Sequence, residues 1–335
     1  MLRYIVVENV VMLFFENYTR ITVCRFYKYV EVMRLIVEKF KGIFPAFYAC
    51  YDEEGNISES RTKQFANYLV SKGIQGLYVG GSSGECIYQN LEERKLTLRY
   101  VAEAVGHQIT LIAHVGAPST RDSIELAKYA EQLGYDALSA IPPIYFVLPE
   151  DSIYHYWTDI LESTNLPFII YNIPQTTGYN LSIQLLNRML QHGKVIGVKN
   201  SSMPVMDIER FKTASSNNLI LFNGPDEQFV AGRLMGADSG IGGTYAVMVE
   251  LFLKANEFIS SGDIARAQQI QSDINSIIIA LCSLNGSMYS AIKEVLKKNN
   301  MDIGSVRKPL QPVTGEDLQK IDEIKAMIDQ AIAKY

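Results

Sequence analysis

Eight short apolar runs alternate with longer segments of 3.6-residue periodicity between Phe40 and Ser260, and this alternation constrains the fold more than any other feature. The runs are GIFPAFYACYD, GLYVGGSSGE, TLIAHVG, ALSAIPP, PFIIYNIP, VIGVKNSS, LILFNGPDE and SGIGGTYAV. Two of them, in PFIIYNIP and VIGVKNSS, are each too short for a helix and close on one polar residue, the pattern of a parallel strand buried on both faces. Eight strand-helix alternations are what a closed barrel requires, whereas a doubly wound open sheet usually stops earlier. The predicted fold is therefore α/β, a (β/α)8 TIM barrel. Helix starts are marked as well, for instance by Asn90 three residues before Glu93, a capping-box spacing. The polar strand ends line the mouth of such a barrel, and function belongs there.

After Ser260 the strand pattern stops. Segments 263–284, 287–299 and 315–333 read as helices, the last opening with Thr314 three residues before Asp317. The expected organisation is an N-terminal extension (1–38), a catalytic barrel (39–260) and a C-terminal helical part (261–335) packed on the barrel through short connections. Residues 1–32 differ from the rest, with Tyr4, Phe14, Phe15, Tyr18, Phe26, Tyr27 and Tyr29 but no glycine or proline. Their longest uncharged apolar run, Val10 to Phe15, is too short to span a bilayer, and no small-residue cleavage site follows it. Met33 opens a conventional amphipathic lead-in and is the expected biological start.

The 335 residues carry a formal net charge of -5 and no long basic stripe, which argues against a nucleic-acid surface and for a small-molecule substrate. Cys24, Cys50, Cys86 and Cys282 form no CxxC pair, which suits reduced thiols in a cytoplasmic protein better than a disulfide frame or a zinc site. His107, His114, His155 and His192 show no ligand spacing, and His114, closing TLIAHVG, reads as a hydrogen-bonded core residue.

Within PFIIYNIP and VIGVKNSS, Tyr171 and Lys199 lie one strand-helix unit apart, so adjacent strands bring both to one face. Gly197, two residues before Lys199, leaves room beside it. A lysine closing an apolar strand is costly to bury charged and tends to shed its proton. Loss of that proton makes it a nucleophile for a carbonyl, since at its reference pKa of about 10.4 almost none is neutral at pH 7. The plainer reading is a strand-end lysine pointing into solvent. Gly80-Gly81-Ser82-Ser83-Gly84-Glu85 offers hydroxyls and close backbone approach for a carboxylate, or is simply a tight turn; it does not match the nucleotide-binding glycine motifs. Asp226-Glu227 could accept hydrogen bonds from sugar hydroxyls or favour a helix N-terminus, and no third ligand completes a metal site. GIGGTY again allows close approach at the mouth.

Taken together, YVGGSSGE, LIAHVG, SAIPPIYF, YNIP, GVKNSS, FNGPDE and GADSGIGGTY resemble the pyruvate-dependent class I aldolase family over about residues 39–335, with RKPLQPV before the last helix. The resemblance implies a homotetramer without metal or organic cofactor. Its closest branch implies cleavage of N-acetylneuraminate (sialic acid) to N-acetylmannosamine and pyruvate. Carried over, Lys199 forms the Schiff base, Tyr171 shuttles the proton and Tyr145 joins the proton-transfer network. Ser82 and Ser83 match the carboxylate-binding pair, with Ser83 in place of the more usual threonine, and Ser201 matches a position often held by threonine. Gly224, Asp226 and Glu227 match the residues that hold the polyhydroxy chain. Gly243 stands where some relatives have a serine touching the substrate tail, so tail recognition is altered or supplied by backbone and water.

Three other readings follow from the same motifs. A 4-hydroxy-tetrahydrodipicolinate synthase typically has an arginine shortly after the tyrosine motif, and Pro174-Gln175-Thr176-Thr177 lacks one; a 2-keto-3-deoxy sugar acid aldolase is harder to set aside. A non-catalytic keto-acid-binding regulator would need neither the lysine nor the tyrosine.

Overall fold

The computed structural model describes residues 3–7, 10–14, 38–216 and 219–335. The chain forms two compact units, Met1–Phe40 and Lys41–Tyr335. In the first, β1 (Arg3–Val7) and β2 (Val10–Phe14) pair antiparallel, Arg3 opposite Phe14 and Val7 opposite Val10. The β-branched Ile5, Val6, Val7, Val10 and Val11 favour that extended geometry. Met33 and Cys24 lie outside the described residues.

In the second unit each apolar run supplies one parallel strand: β3 (Gly42–Pro45), β4 (Gly76–Val79), β5 (Thr110–His114), β6 (Ala137–Ala140), β7 (Phe168–Asn172), β8 (Val195–Asn200), β9 (Ile220–Asn223) and β10 (Ser239–Gly242). Each strand pairs with the next in sequence from β4 to β10, and β10 returns to pair with β3. The remaining seam, between β3 and β4, is joined by a parallel bridge of Ala46 with Tyr78 and by the Phe47 N–H donating to the Tyr78 carbonyl at 2.9 Å. Helices fill the connections, and the result is the TIM barrel that the alternation predicts. The strands are apolar on both faces because the interior is filled by side chains and the outer face is covered by helices.

The Asn90 signal is realised as a full capping box. Its side chain accepts from the Glu93 N–H at 3.0 Å, and Glu93 accepts from the Asn90 N–H at 2.9 Å, an arrangement worth about 1 kcal/mol. The Thr314 signal is not. That helix begins at Asp317 with no side-chain cap, because the Asp317 carboxylate is already engaged by the Asn285 N–H at 2.7 Å and Lys320 at 2.8 Å.

Helices Ile264–Cys282, Met288–Lys298 and Asp317–Lys334 follow the barrel. Their buried residues, such as Ile270, Ile274 and Ile277, then Ile321, Ile324 and Ile328, recur at helical spacing and share one core with Phe252 and Phe258 of helix Tyr245–Ser260. Among the described residues no helix is long and apolar enough to cross a membrane.

Candidate active site

The parallel register of β7 and β8 sets Tyr171 directly beside Lys199. Lys199 is 5% exposed, so it does not point into solvent. Its Nζ lies 3.8 Å from the centroid of the Tyr171 ring and 4.2 Å from that of Tyr78, so two aromatic faces wall the nitrogen. Gly197 plays a different part from the one expected of it. A Cβ there would stand 2.5 Å from the Ile220 carbonyl oxygen, so the glycine lets β9 approach β8 rather than clearing space beside the lysine.

Tyr78 is a residue that the motif reading passes over. It lies in GLYV two positions before Gly80, and period-two arithmetic back from the glycine turn would have found it on the same face. Its hydroxyl donates to Ser139 Oγ at 3.0 Å, and burial pushes the phenol well above its ordinary range. His114 is a core residue, as predicted. Burial, then the neighbouring Arg94 and Lys199 charges, hold it neutral, and its Nδ1 donates to the Gly80 carbonyl at 2.9 Å. That bond fastens the glycine turn from behind.

The turn after β4 carries Ser82, half-buried, and Ser83, buried. Gly84 sits where a Cβ would come within 3.2 to 3.3 Å of Gly81, Gly80 and Phe47 backbone atoms. The two hydroxyls are therefore carried on a close-packed loop. A cavity of about 650 Å³ opens beside it, lined by Ser82, Glu85, Tyr88, Ile141, Thr176 and Tyr289 among others.

The ends of β8 and β9 bring Ser201 and Gly224 together. The Ser201 N–H donates to the Asn172 carbonyl and the Gly224 N–H to the Asn200 carbonyl, each at 2.8 Å. A Cβ on Gly224 would lie 2.0 Å from Ser201 Oγ, so only glycine fits against that serine. Asp226 is buried while Glu227 is exposed. One Asp226 oxygen, Oδ2, accepts from both the N–H and the hydroxyl of Thr244, at 2.7 and 2.6 Å. Burial outweighs those bonds and raises the carboxyl to about 6. Its other oxygen, Oδ1, is buried without a hydrogen-bond partner, as are the hydroxyls of Tyr48 and Tyr245. Neither Thr244 nor Tyr48 stands out in the sequence, since both lie in runs that read as strand and turn.

Gly243 faces the same quarter. A Cβ there would meet Ser83 Oγ at 3.1 Å and Tyr48 Oη at 3.4 Å. Tyr145 does not join the cluster. It lies on the exposed loop after β6, 92% accessible and with a positive φ of 86°, its ring edge-on to that of Phe146. Among the described residues no group of three His, Cys, Asp or Glu side chains is placed to hold a metal ion.

Residues 39–330 match the dihydrodipicolinate synthetase family. The chain is 50% identical over 301 residues to an N-acetylneuraminate lyase of Mediterraneibacter gnavus, an alignment covering 89% of this chain and 96% of that protein. Among solved structures, the wild-type sialic acid aldolase of Ruminococcus gnavus matches with a TM-score of 0.88 and 50% identity, over 89% of this chain and 99% of that one. CdNal from Clostridium difficile, solved in complex with mannosamine, matches with a TM-score of 0.81 and 32% identity, over 88% and 99% of the two chains.

Proposed function

The chain belongs to the dihydrodipicolinate synthetase family, and from that premise we propose that it is a carbon-carbon lyase cleaving N-acetylneuraminate to N-acetylmannosamine and pyruvate. The observation that carries the chemistry is the paired placement of Lys199 and Tyr171 on neighbouring strands, with the lysine enclosed by Tyr78. In this reading the Lys199 amine attacks the keto carbon of the open-chain sugar acid, and Tyr171 gives its proton to the departing hydroxide, so that loss of water leaves an iminium and a tyrosine phenolate. The bond beyond the adjacent carbon then breaks, its electron pair flowing into the iminium to give an enamine. The hydroxyl on the departing fragment loses its proton to Tyr171 and becomes the aldehyde of N-acetylmannosamine. Tyr171 returns a proton to the enamine carbon, and water hydrolyses the imine to release pyruvate and the free lysine.

Ser82 and Ser83 hold the carboxylate in this scheme, and Ser201, Gly224, Asp226, Glu227 and the backbone at Gly243 hold the hydroxylated chain. The free Asp226 Oδ1 supports that assignment, because a buried carboxylate oxygen with no partner is well suited to accept from a hydroxyl. Tyr145 takes part from a neighbouring copy. The exposure of Tyr145, Phe146 and Val147 at 92%, 71% and 92% supports a covered face, and the assembly is a homotetramer. The catalytic barrel spans 39–260 and the C-terminal helical part 261–335, with 1–38 an extension beyond the catalytic unit. A cytoplasmic location accords with the unpaired Cys50, Cys86 and Cys282.

The test is borohydride trapping with pyruvate, read by intact mass, followed by a cleavage assay on N-acetylneuraminate. An adduct that requires Lys199, with release of pyruvate from the sugar acid, is the expected outcome. An adduct without that cleavage would move the substrate to a 2-keto-3-deoxy sugar acid or to aspartate semialdehyde, and bound pyruvate without an adduct would make the protein a binder.

A further inference from the structure

The most completely buried ion pair among the described residues joins the turn after β4 to the C-terminal helices. Lys293 Nζ, on helix Met288–Lys298, donates to Glu85 Oε1 at 2.7 Å, with side-chain exposures of 1% and 0%. The other carboxylate oxygen, Oε2, accepts from the Arg307 N–H at 2.8 Å. Lys293 also donates to the Ser305 carbonyl at 2.8 Å. The Arg307 guanidinium reaches back to Glu93 at 2.7 and 2.9 Å and to the Tyr88 carbonyl at 2.9 Å. The Tyr51 ring lies 4.7 Å from Lys293 Nζ and 4.6 Å from the Arg307 guanidinium carbon.

Glu85 is not an ordinary anchor point. Its φ is +51°, a left-handed conformation that a glutamate adopts only when its surroundings hold it there. Its N–H donates to the Ser82 carbonyl at 2.9 Å, so it closes the turn on which Ser82 and Ser83 sit. A buried ion pair is weak as a source of net stability, because desolvation offsets most of its attraction. What it does supply is a fixed geometry, and here both carboxylate oxygens are fixed from residues more than two hundred positions away.

We propose that the Lys293–Glu85 pair positions the Ser82 and Ser83 hydroxyls for the keto-acid carboxylate, making the C-terminal helices a working part of the substrate site. The inference rests on the reading above that those serines bind the carboxylate. A release of the pair lets Glu85 relax from its left-handed conformation and turns the two hydroxyls away from their common target. Lys199 and Tyr171 stand on other strands, and Tyr78 is held within β4 ahead of the turn, its hydroxyl bonded to Ser139, so all three are left in place.

The test compares Schiff-base trapping by pyruvate with trapping by hydroxyacetone, an uncharged ketone, in the full chain. Lys293→Met is expected to lower the preference for pyruvate by about tenfold or more, through a raised half-saturating concentration, with hydroxyacetone trapping within about twofold of wild type. Loss of both activities together, or of neither, in a folded variant overturns the proposal. Should Lys293→Met fail to fold, Glu85→Gln carries the same expectation, since it keeps side-chain volume and an acceptor for Arg307. Ser83→Ala separates the two layers of argument. If it leaves the pyruvate preference unchanged, the carboxylate reading falls; if it lowers the preference while Lys293→Met or Glu85→Gln does not, the positioning role falls.

Discussion

Tyr171 and Lys199 are direct register partners on β7 and β8, and the lysine Nζ rests 3.8 Å from the centre of the tyrosine ring. The proximity assigns them different steps, and substitution separates those steps. Lys199→Ala is expected to abolish the borohydride-trapped pyruvate adduct and to lower cleavage by at least about a thousandfold, since no other nucleophile takes over. Tyr171→Phe is expected to keep the adduct, formed more slowly, because the nucleophile is the amine, while cleavage falls by about 10²- to 10⁴-fold. Intact mass and a pyruvate-release assay on the same two variants check both statements. A Tyr171→Phe enzyme that cleaves normally would remove the tyrosine from the proton path.

Asp226 gives the site a pH dependence whose sign can be worked out. Burial raises its carboxyl from 3.8 to about 6, so between those values the folded protein holds a proton that the unfolded chain has released. Stability therefore falls as pH rises through that window, by about 3 kcal/mol for a shift of this size. Asp226→Asn removes the titration, so relative to wild type the variant should gain in urea midpoint from pH 4 to pH 7. The same ionisation improves the carboxylate as an acceptor for substrate hydroxyls, and the wild-type KM for N-acetylneuraminate should fall as pH passes about 6. A stability difference between the two proteins that does not change with pH would place the titration elsewhere.

Much of this site was legible before any coordinates. Lys199 and Tyr171 could be paired from one strand-helix repeat, because strand alternation and parallel order fix which residues meet. The eight strands followed from short apolar runs alternating with segments of helical periodicity. What escaped were contacts that only closure of the barrel creates. Tyr78 reaches Lys199 across the interior, Thr244 holds Asp226 from the neighbouring strand end, and Lys293 comes to Glu85 from the far end of the chain. None of these has a local signature, since each partner looks like an ordinary strand, turn or helix residue. The Gly197 misreading has the same origin, because sequence shows a missing side chain but not which backbone fills the gap.

The Tyr145–Val147 loop makes an assembly prediction. Three consecutive residues, two of them large and apolar, are exposed at 71% or more in the single chain. If the proposed tetramer is built on this loop, replacing Phe146 and Val147 together by aspartate should shift the species seen by size-exclusion chromatography with light scattering from the proposed tetramer towards smaller forms, with loss of cleavage activity. Tyr145→Phe should leave the assembly intact and reduce turnover, because only the hydroxyl is removed. A double aspartate variant that stays tetrameric would place the interface on another face.

Adjacent glycines on the same strand end should respond oppositely to substitution. At Gly242 a Cβ would come 2.0 Å from Asp226 Oδ1 and 2.3 Å from the Tyr245 ring, and neither buried group has space to retreat. Gly242→Ala is therefore overpacked, at a cost of about 1–3 kcal/mol, and it displaces the carboxylate assigned to the sugar chain. Its KM for N-acetylneuraminate should rise at least about tenfold, while the pyruvate adduct, made elsewhere in the site, persists. At Gly243 the nearest atoms are the Ser83 and Tyr48 oxygens at 3.1 and 3.4 Å, which a small shift accommodates. A serine there gives the partnerless Tyr48 hydroxyl an acceptor, so Gly243→Ser should fold with a thermal midpoint at or above wild type and alter KM without removing activity. Equal damage from the two substitutions would show that the β10 end tolerates no side chain at all, and that Gly243 is dictated by packing rather than by substrate.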